Sequence, residues 1–454
     1  MRNFKHLLLA GAAFTAFVAT QNGAQAGGFA LREQSTVGLG NAFAGAAAGG
    51  AGLGSMFWNP ATMTNYAGIQ TSLSLFAIMP VSKITPTSGV LPTAIGKADS
   101  GDMAEDAVIP AGYASWQFND QVWLGLSINT PYGLATKNPF NWSGQIYGRT
   151  SEVKSINATP TIGYRFSDQL SVGAGLQIMK FKVRLTRASS PVPGATSGSL
   201  EGDDIAAGFT LGATYKPFQG TEIGIGYRSK VKPKLEGTFV TPVTTSTGLS
   251  PATYNIKGDL TLPDQISVGL RQAINEELTL LAGFEWTHWG QFGRYPVYVK
   301  DGASAGTLAT TLYFDYKNAW FTSLGAEYKL NSNWLLRAGV GYEHAPIDDV
   351  NRSVRLPDSN RIWTSLGATY AIDDRVTLDL GYAHLFAKNG QINVVSGNPN
   401  LVTPPAAAGP PFGGVDLTFN ASTKGRIDIL SVGLNFKLGA EPKKSTSKAA
   451  LVTK

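Results

Sequence analysis

Residues 334–344 read WLLRAGVGYEH, and the alternation of their side chains decides the fold. Five apolar residues share one face of an extended chain here: Trp334, Leu336, Ala338, Val340 and Tyr342. The opposite face carries glycine, arginine and glutamate. Side chains of a β-strand point alternately to opposite faces, so this period of two indicates a strand with one apolar face. Because the other face is small or polar and aromatic residues lie near the strand ends, we favour a strand whose apolar face meets lipid.

The same pattern recurs along the chain and predicts fourteen strands. They lie roughly at residues 69–82, 107–118, 121–131, 152–166, 170–187, 203–217, 221–238, 254–274, 278–289, 317–330, 334–344, 361–371, 376–386 and 424–438. Short turns between them, such as Asn119-Asp120, alternate with long loops, such as 83–106 and 387–423. Outer-membrane barrels have short periplasmic turns and longer outer loops, and a soluble propeller or solenoid has no such alternation. Since open sheet edges are unstable in lipid, we predict an all-β protein with a closed, 14-stranded antiparallel transmembrane β-barrel over residues 69–438.

Both ends of the chain differ from the barrel pattern. Arg2 and Lys5 precede a short apolar run, and Ala24-Gln25-Ala26 follows as a small-x-small cleavage site. This layout predicts a signal peptide at residues 1–26, because the apolar run is short for a membrane anchor. We therefore expect export to the outer membrane of a Gram-negative cell. Residues 439–454 are rich in Lys, Ser and Ala and are expected to form a flexible C-terminal tail.

Residues 27–68 lack strand alternation and are rich in glycine and alanine, with aromatic residues spaced along them. A barrel of fourteen strands encloses a lumen that is wider than its own side chains can fill. We therefore predict that this segment, called the hatch below, forms a compact N-terminal plug inside the lumen.

The composition excludes several classes of function. Among 454 residues there is no cysteine and there are only four histidines, so we expect no metal site, no cofactor and no cysteine nucleophile. Five of the six net positive charges come from residues 1–26 and from the last sixteen residues, which leaves no basic stripe for a nucleic acid. Gly302-Ala303-Ser304-Ala305-Gly306 fits the pattern of a serine hydrolase, but it lies in a predicted outer loop with no helical pattern after it.

Seven further sequence blocks lie in order along the predicted mature chain: Gly28–Glu33, Gly38–Ala42, Trp58–Ala61, Tyr132–Thr136, Tyr227–Lys232, Trp289–Phe292 and Asn351–Trp363. Together they resemble the FadL family of outer-membrane transporters for long-chain fatty acids and other hydrophobic compounds. The resemblance implies a 14-stranded barrel with a hatch, an internal ligand pocket, and sideways exit of the ligand through a kinked strand.

The resemblance also assigns candidate ligand-binding and gating residues. Asn59, Pro60 and Ala61 match a motif of the family's hatch, and Phe29 matches the N-terminal region that reaches into the ligand path. Pro131 lies where the third strand would break, since proline interrupts the hydrogen-bond ladder of a strand.

A further candidate is basic. Arg187, at the outer end of the fifth strand, falls near a position where the family places a basic residue against a carboxylate head group. A second such position falls in Leu312-Tyr313-Phe314, which has neither Lys nor Arg, and this departure raises the prospect of neutral ligands.

The sequence thus predicts a monomeric, passive outer-membrane channel that is not an enzyme. Its partners are outer-membrane lipid and a hydrophobic small molecule, which we expect to be a long-chain fatty acid. Three alternatives stay open at this point: a channel of the same family for aromatic hydrocarbons, a general porin, and an outer-membrane hydrolase.

Overall fold

The computed structural model of the protein describes residues 27–88, 98–245, 248–403 and 413–438. The predicted signal peptide and the predicted C-terminal tail lie outside the described residues. The described chain forms a closed antiparallel barrel of 14 strands, as predicted. None of the helices in these ranges is long and apolar enough to cross a membrane.

The strands are numbered in chain order. The barrel wall consists of β1 (Ile69–Ser88), β2 (Ala107–Gln117), β3 (Val122–Asn129), β5 (Thr150–Arg165), β6 (Leu170–Ala188), β7 (Ser197–Tyr215), β8 (Thr221–Arg228), β11 (Gln265–Ala273), β12 (Leu278–Thr287), β15 (Ala319–Lys329), β16 (Trp334–His344), β17 (Arg361–Ala371), β18 (Val376–Ala387) and β20 (Phe419–Lys437). Six further strands lie near the outer end: β4 (Gly133–Lys137), β9 (Lys234–Thr245), β10 (Gly248–Asp259), β13 (Arg294–Val299), β14 (Leu308–Tyr313) and β19 (Gly390–Val394). The first and last strands pair from Gln70 with Lys437 to Ser88 with Asn420, which closes the sheet.

Period-two patterning explains which face of each strand meets lipid. Ile205, Leu324 and Leu366 are more than half exposed at the outer surface of the wall. Inward positions of the same wall carry buried polar residues such as Glu285 and Arg337. Exposure of so many apolar side chains to water would be unfavourable, whereas contact with the lipid chains of a bilayer is favourable for them.

The hatch fills the lumen with short helical turns. They are α1 (Thr36–Gly40) and three 3₁₀ helices, Ala46–Ala48, Gly52–Phe57 and Pro60–Asn65. Ser35 caps the first of them, because its Oγ accepts a hydrogen bond from the amide of Gly38. Most of the hatch is buried against the inner surface of the wall.

Glycines in the wall allow the hatch to lie directly against the strands. A Cβ atom at Gly224 would lie 1.8 Å from the carbonyl oxygen of Ala47, and one at Gly226 would lie 1.8 Å from that of Trp58. No side chain fits such gaps, so these two positions of β8 require glycine for close approach of the two backbones.

Candidate functional site

An apolar pocket, called the outer pocket below, lies between the hatch and the outer strands. The space between its atoms is about 870 Å³ when the solvent at its open side is counted. Its walls are largely aliphatic and aromatic and include Phe29, Leu134, Val153, Phe181, Leu200, Leu235, Ile256, Leu260, Phe292, Val297, Leu312, Phe314 and Leu356. The two strand pairs β9–β10 and β13–β14 extend the barrel wall outward and supply several of these residues. Such a concave apolar cavity suits a hydrophobic ligand.

Phe29 closes the inner end of the outer pocket. Its ring centroid lies 4.8 Å from that of Trp289 and 5.2 Å from that of Phe292, both in edge-to-face geometry. Tyr132 and Phe181 complete the cluster at 5.8 and 6.4 Å. Edge-to-face aromatic pairs are favourable beyond the area that they bury, so this cluster fixes the ring of Phe29.

A single arginine, Arg355, joins the lining of the outer pocket. Its Nη1 donates hydrogen bonds to the carbonyl oxygens of Thr150 and Thr186, at 3.3 and 3.1 Å, and to Oγ of Ser151 at 3.3 Å. Burial, and to a lesser degree the positive charge of Arg187, lowers the pKa of Arg355 to about 9. This pKa is still above neutral pH, so the guanidinium group keeps its charge there, although none of these partners carries a negative charge.

Arg187 itself lies at the outer end of β6, opposite Gly198 of β7. Its side chain is exposed and lies outside the lining of the outer pocket. The stretch Leu312-Tyr313-Phe314 does reach the pocket, through Leu312 and Phe314. Reasoning from sequence therefore missed Arg355, although this residue stands within the Asn351–Trp363 block that carries the resemblance.

The wall breaks at the third strand, as the sequence predicts. Strand β3 ends at Asn129 and β4 begins at Gly133, so Thr130, Pro131 and Tyr132 separate the two. Ser155 of β5 bonds to the amide and the carbonyl oxygen of Tyr132, and the hatch satisfies further backbone groups that the break leaves unpaired. Leu31 donates to the carbonyl oxygen of Pro131 at 2.8 Å, and Gly133 donates to that of Phe29 at 2.9 Å. The break and the floor of the outer pocket are thus held by the same few residues of the hatch.

A gap in strand pairing, called the window below, adjoins this break in the wall. Strand β2 pairs with β3 only from Gly112 to Gln117, and in the described residues β4 pairs with β5 but with no segment of β2. Above the window, Ala104 and Thr136 form an isolated bridge. The window therefore lies between residues 107–111 of β2 and the break, and hatch residues 29–34 cover its inner side.

Asn59, Pro60 and Ala61 lie elsewhere, against the wall formed by β6, β7 and β8. The side chain of Asn59 accepts from the amide of Ala61 at 3.0 Å and donates to the carbonyl oxygens of Ala47 and Ala213. Pro60 begins the last 3₁₀ helix of the hatch, where a missing amide hydrogen costs nothing. The structure brings Phe29 and Pro131 together and leaves these three residues as an anchor of the hatch, outside the outer pocket.

A second, polar cavity lies on the other side of Phe29 and adjoins the start of the hatch. Arg32 forms an ion pair of 2.7 Å with Glu285 and lies 3.6 Å from Glu343. Arg361 contacts both Glu343 and Asp358. These buried charges are paired with one another, as buried charges must be. Ser304, by contrast, lies in an exposed turn between β13 and β14.

A membrane-spanning barrel whose lumen is closed by a plug, with an apolar pocket above the plug, defines an outer-membrane transport protein rather than an open pore. The family model described as outer membrane protein transport protein (OMPP1/FadL/TodX) matches residues 15–436. The chain belongs to this family of outer-membrane transporters of hydrophobic compounds.

Individual relatives agree with this assignment. Outer membrane protein P1 of Haemophilus influenzae is 28% identical over 431 residues, which cover 86% of this chain and 91% of the relative. The long-chain fatty acid transport protein of Escherichia coli K12 is 26% identical and covers 83% of this chain and 91% of its own. Among solved structures, a Pseudomonas aeruginosa FadL homologue superposes with a TM-score of 0.78 at 22% identity, covering 90% of this chain and 99% of its own. The Pseudomonas putida toluene transporter TodX gives 0.65 at 18% identity, covering 87% and 98%.

Proposed function

We propose that this protein carries long-chain fatty acids across the outer membrane by passive diffusion. The observation that carries the proposal is the combination of one arginine, Arg355, with a largely aliphatic and aromatic outer pocket. Three carboxylates also belong to the lining, and two of them, Glu201 and Glu236, form ion pairs with Lys182 and Lys300. A carboxylate head group would pair with the guanidinium group, while the alkyl chain would lie against the aliphatic and aromatic walls. Each buried methylene contributes about 0.8 kcal/mol, so a long chain gains most from such a pocket.

Arg187, at the rim of the outer pocket, also supports a ligand with a carboxylate head group. Its charge is close enough to lower the pKa of Arg355. Two neighbouring positive charges at the outer end of the pocket create a potential that favours an incoming anion. We propose that Arg187 attracts the carboxylate and that Arg355 binds it.

The positions of the hatch and the window suggest the path by which the ligand leaves the outer pocket. Phe29 separates the pocket from the window, and the hatch backbone covers the window from inside. We propose that displacement of residues 29–34 lets the ligand pass sideways at Pro131, through the break between β3 and β4. On this route Asn59, Pro60 and Ala61 hold the rest of the hatch in place while its N-terminal part moves.

A direct test compares uptake of oleate with uptake of toluene in a host that lacks its own transporter. We expect oleate uptake, because a charged hydrogen bond contributes about 1.5–3 kcal/mol and toluene cannot form one. The variant Arg355→Met should bind oleate about ten- to a hundredfold more weakly and leave toluene binding unchanged. The matched control is Arg375→Met, in an exposed turn at the other end of the barrel.

The second candidate, a channel for aromatic hydrocarbons, is favoured by the aromatic cluster around Phe29 and by the fold shared with the toluene transporter TodX. Toluene uptake without oleate uptake would establish it and would refute the first proposal. An unchanged affinity for oleate in Arg355→Met would refute the role of that residue alone.

A further inference from the structure

The amide nitrogens of Gly27 and Gly28 both point at buried carboxylates. Gly27 N lies 3.1 Å from Oε1 of Glu343, and Gly28 N lies 2.7 Å from Oδ2 of Asp358. Both carboxylates are nearly inaccessible to solvent, with 3% and 2% of their residue surface exposed. These contacts matter because Gly27 is the residue that follows the predicted cleavage site at Ala26.

The surroundings of Gly27 carry an excess of negative charge. Four carboxylates interact there: Glu33 of the hatch, Glu285 of β12, Glu343 of β16 and Asp358 of the loop before β17. Three guanidinium groups oppose them: Arg32 of the hatch, Arg228 at the end of β8 and Arg361 at the start of β17. One further cation would balance the cluster.

The carboxylate of Glu33 in this cluster is not fully compensated by its neighbours. It is 1% exposed, and its Oε2 has no hydrogen-bond partner among the described residues. Burial, opposed in part by nearby Arg32 and Arg361, raises the pKa of Glu33 to about 7. Loss of hydration is the main cause of this shift, and the two arginines offset it only in part.

Steric fit is tight at the same place. A Cβ atom at Gly27 would lie 2.4 Å from Oε1 of Glu343. Gly28 has a φ of +64°, and a Cβ there would approach the ring of Trp289 to 3.0 Å. Two glycines therefore let the chain start against the carboxylates, with Phe29 directly after them at the floor of the outer pocket.

We propose that Glu343 and Asp358 form a binding site for the α-ammonium group of Gly27, which cleavage after Ala26 creates. The ion pair fixes the first residue of the mature chain in the polar cavity and so holds Phe29 at the floor of the outer pocket. Processing at Ala26 is then required for a well-formed pocket as well as for export. The ammonium site itself does not depend on the proposed function. Only the second experiment below rests on that function, because it uses oleate as the ligand.

The first experiment measures the titration of the amine in the purified, detergent-solubilised barrel. Mass spectrometry establishes that the chain starts at Gly27, and competitive acylation over a range of pH gives the pKa of its α-amino group. Free α-amino groups titrate near 7.7–8.0, so we expect a pKa above 9 in the folded protein. The variant Glu343→Gln should lower the pKa of this amino group by at least one unit, which is a tenfold change in the protonation equilibrium. A different first residue, or an ordinary pKa that Glu343→Gln leaves in place, would overturn the proposal.

A second experiment moves the amine without removing a carboxylate. One alanine inserted between Ala26 and Gly27 displaces the ammonium group, and we expect oleate affinity to fall at least tenfold. An alanine inserted in the exposed turn at Ser304 is the control. Retained heat-dependent gel migration shows that each barrel has folded. Unchanged affinity in the first variant would refute the link to the pocket. A wild-type protein with a raised amine pKa that binds no oleate would instead refute the proposed function and leave the ammonium site standing.

Discussion

Phe29 closes the inner end of the outer pocket with its ring and helps to cover the window with its backbone. Its carbonyl oxygen accepts from Gly133 across the break in the wall, while its ring packs on Trp289 and Phe292. One residue thus links the outer pocket, the hatch and the window. A ligand that displaces the ring would also disturb the backbone contacts that cover the window.

Replacing the ring by a carboxylate should impair transport. Phe29→Glu places an unpaired charge in an apolar pocket, which costs several kcal/mol unless the group stays protonated. We expect oleate uptake to fall at least tenfold in cells that express equal amounts of folded barrel. Phe218→Glu is the control, because Phe218 is 76% exposed in a short turn. Equal uptake by the two variants would show that Phe29 does not border the ligand path.

At the scale of single residues, only part of the candidate site could be predicted from the sequence. Phe29 could be proposed only through the resemblance of its sequence block to the family, and Pro131 because a proline interrupts the hydrogen-bond ladder of a strand. Arg355 could not be assigned, since it reaches the outer pocket only when the loop before β17 folds back onto β5 and β6. A loop of irregular backbone carries no periodicity from which its side-chain directions can be read.

At the scale of elements, most of the wall could be predicted from alternation alone. Segments 334–344 and 361–371 match β16 and β17 residue for residue. Segments 221–238 and 254–274 are each predicted as one strand, but each is split into two, because β9 and β10 form a separate hairpin that extends the wall outward beside β7. Period-two patterning continues on both sides of each split, so it reports extended chain and not which strand pairs with which.

The wall glycines tie these elements to the hatch. Gly224→Ala places a Cβ atom 1.8 Å from the carbonyl oxygen of Ala47, so the 3₁₀ helix Ala46–Ala48 must move away from β8. We expect a barrel that still migrates as a folded species before heating, together with faster hydrogen exchange of the hatch amides, measured by mass spectrometry. Gly293→Ala is the control, because the nearest atom to its Cβ is 3.7 Å away. Unchanged hatch exchange in Gly224→Ala would contradict the close packing of hatch and wall.

The whole molecule combines a wide barrel with a lumen that is closed by its own N-terminal segment. We therefore expect the purified protein to show little ion conductance in planar bilayers, in contrast to a general porin of similar strand number. Deleting residues 27–58 should open the lumen and produce large conductance steps. High conductance of the intact chain would favour the porin alternative, and an unchanged conductance after deletion would show that the hatch does not block the lumen.

Transport through the side of the barrel requires the hatch to leave the window, and the cysteine-free chain allows a clean test. Ala30 and Tyr132 are antiparallel bridge partners across the window, and such partners have Cα atoms about 4.5–5.5 Å apart, within the range of a disulfide. In the double variant Ala30→Cys/Tyr132→Cys we expect oxidation to stop oleate uptake and a reductant to restore it. Leu366→Cys/Tyr382→Cys joins two neighbouring wall strands at a paired position facing lipid, and this bond should leave uptake unchanged. If the first bond forms and uptake continues, the ligand does not leave through the window. Passage would then have to run down the lumen past Asn59, Pro60 and Ala61, and the anchor of the hatch would be the part that moves.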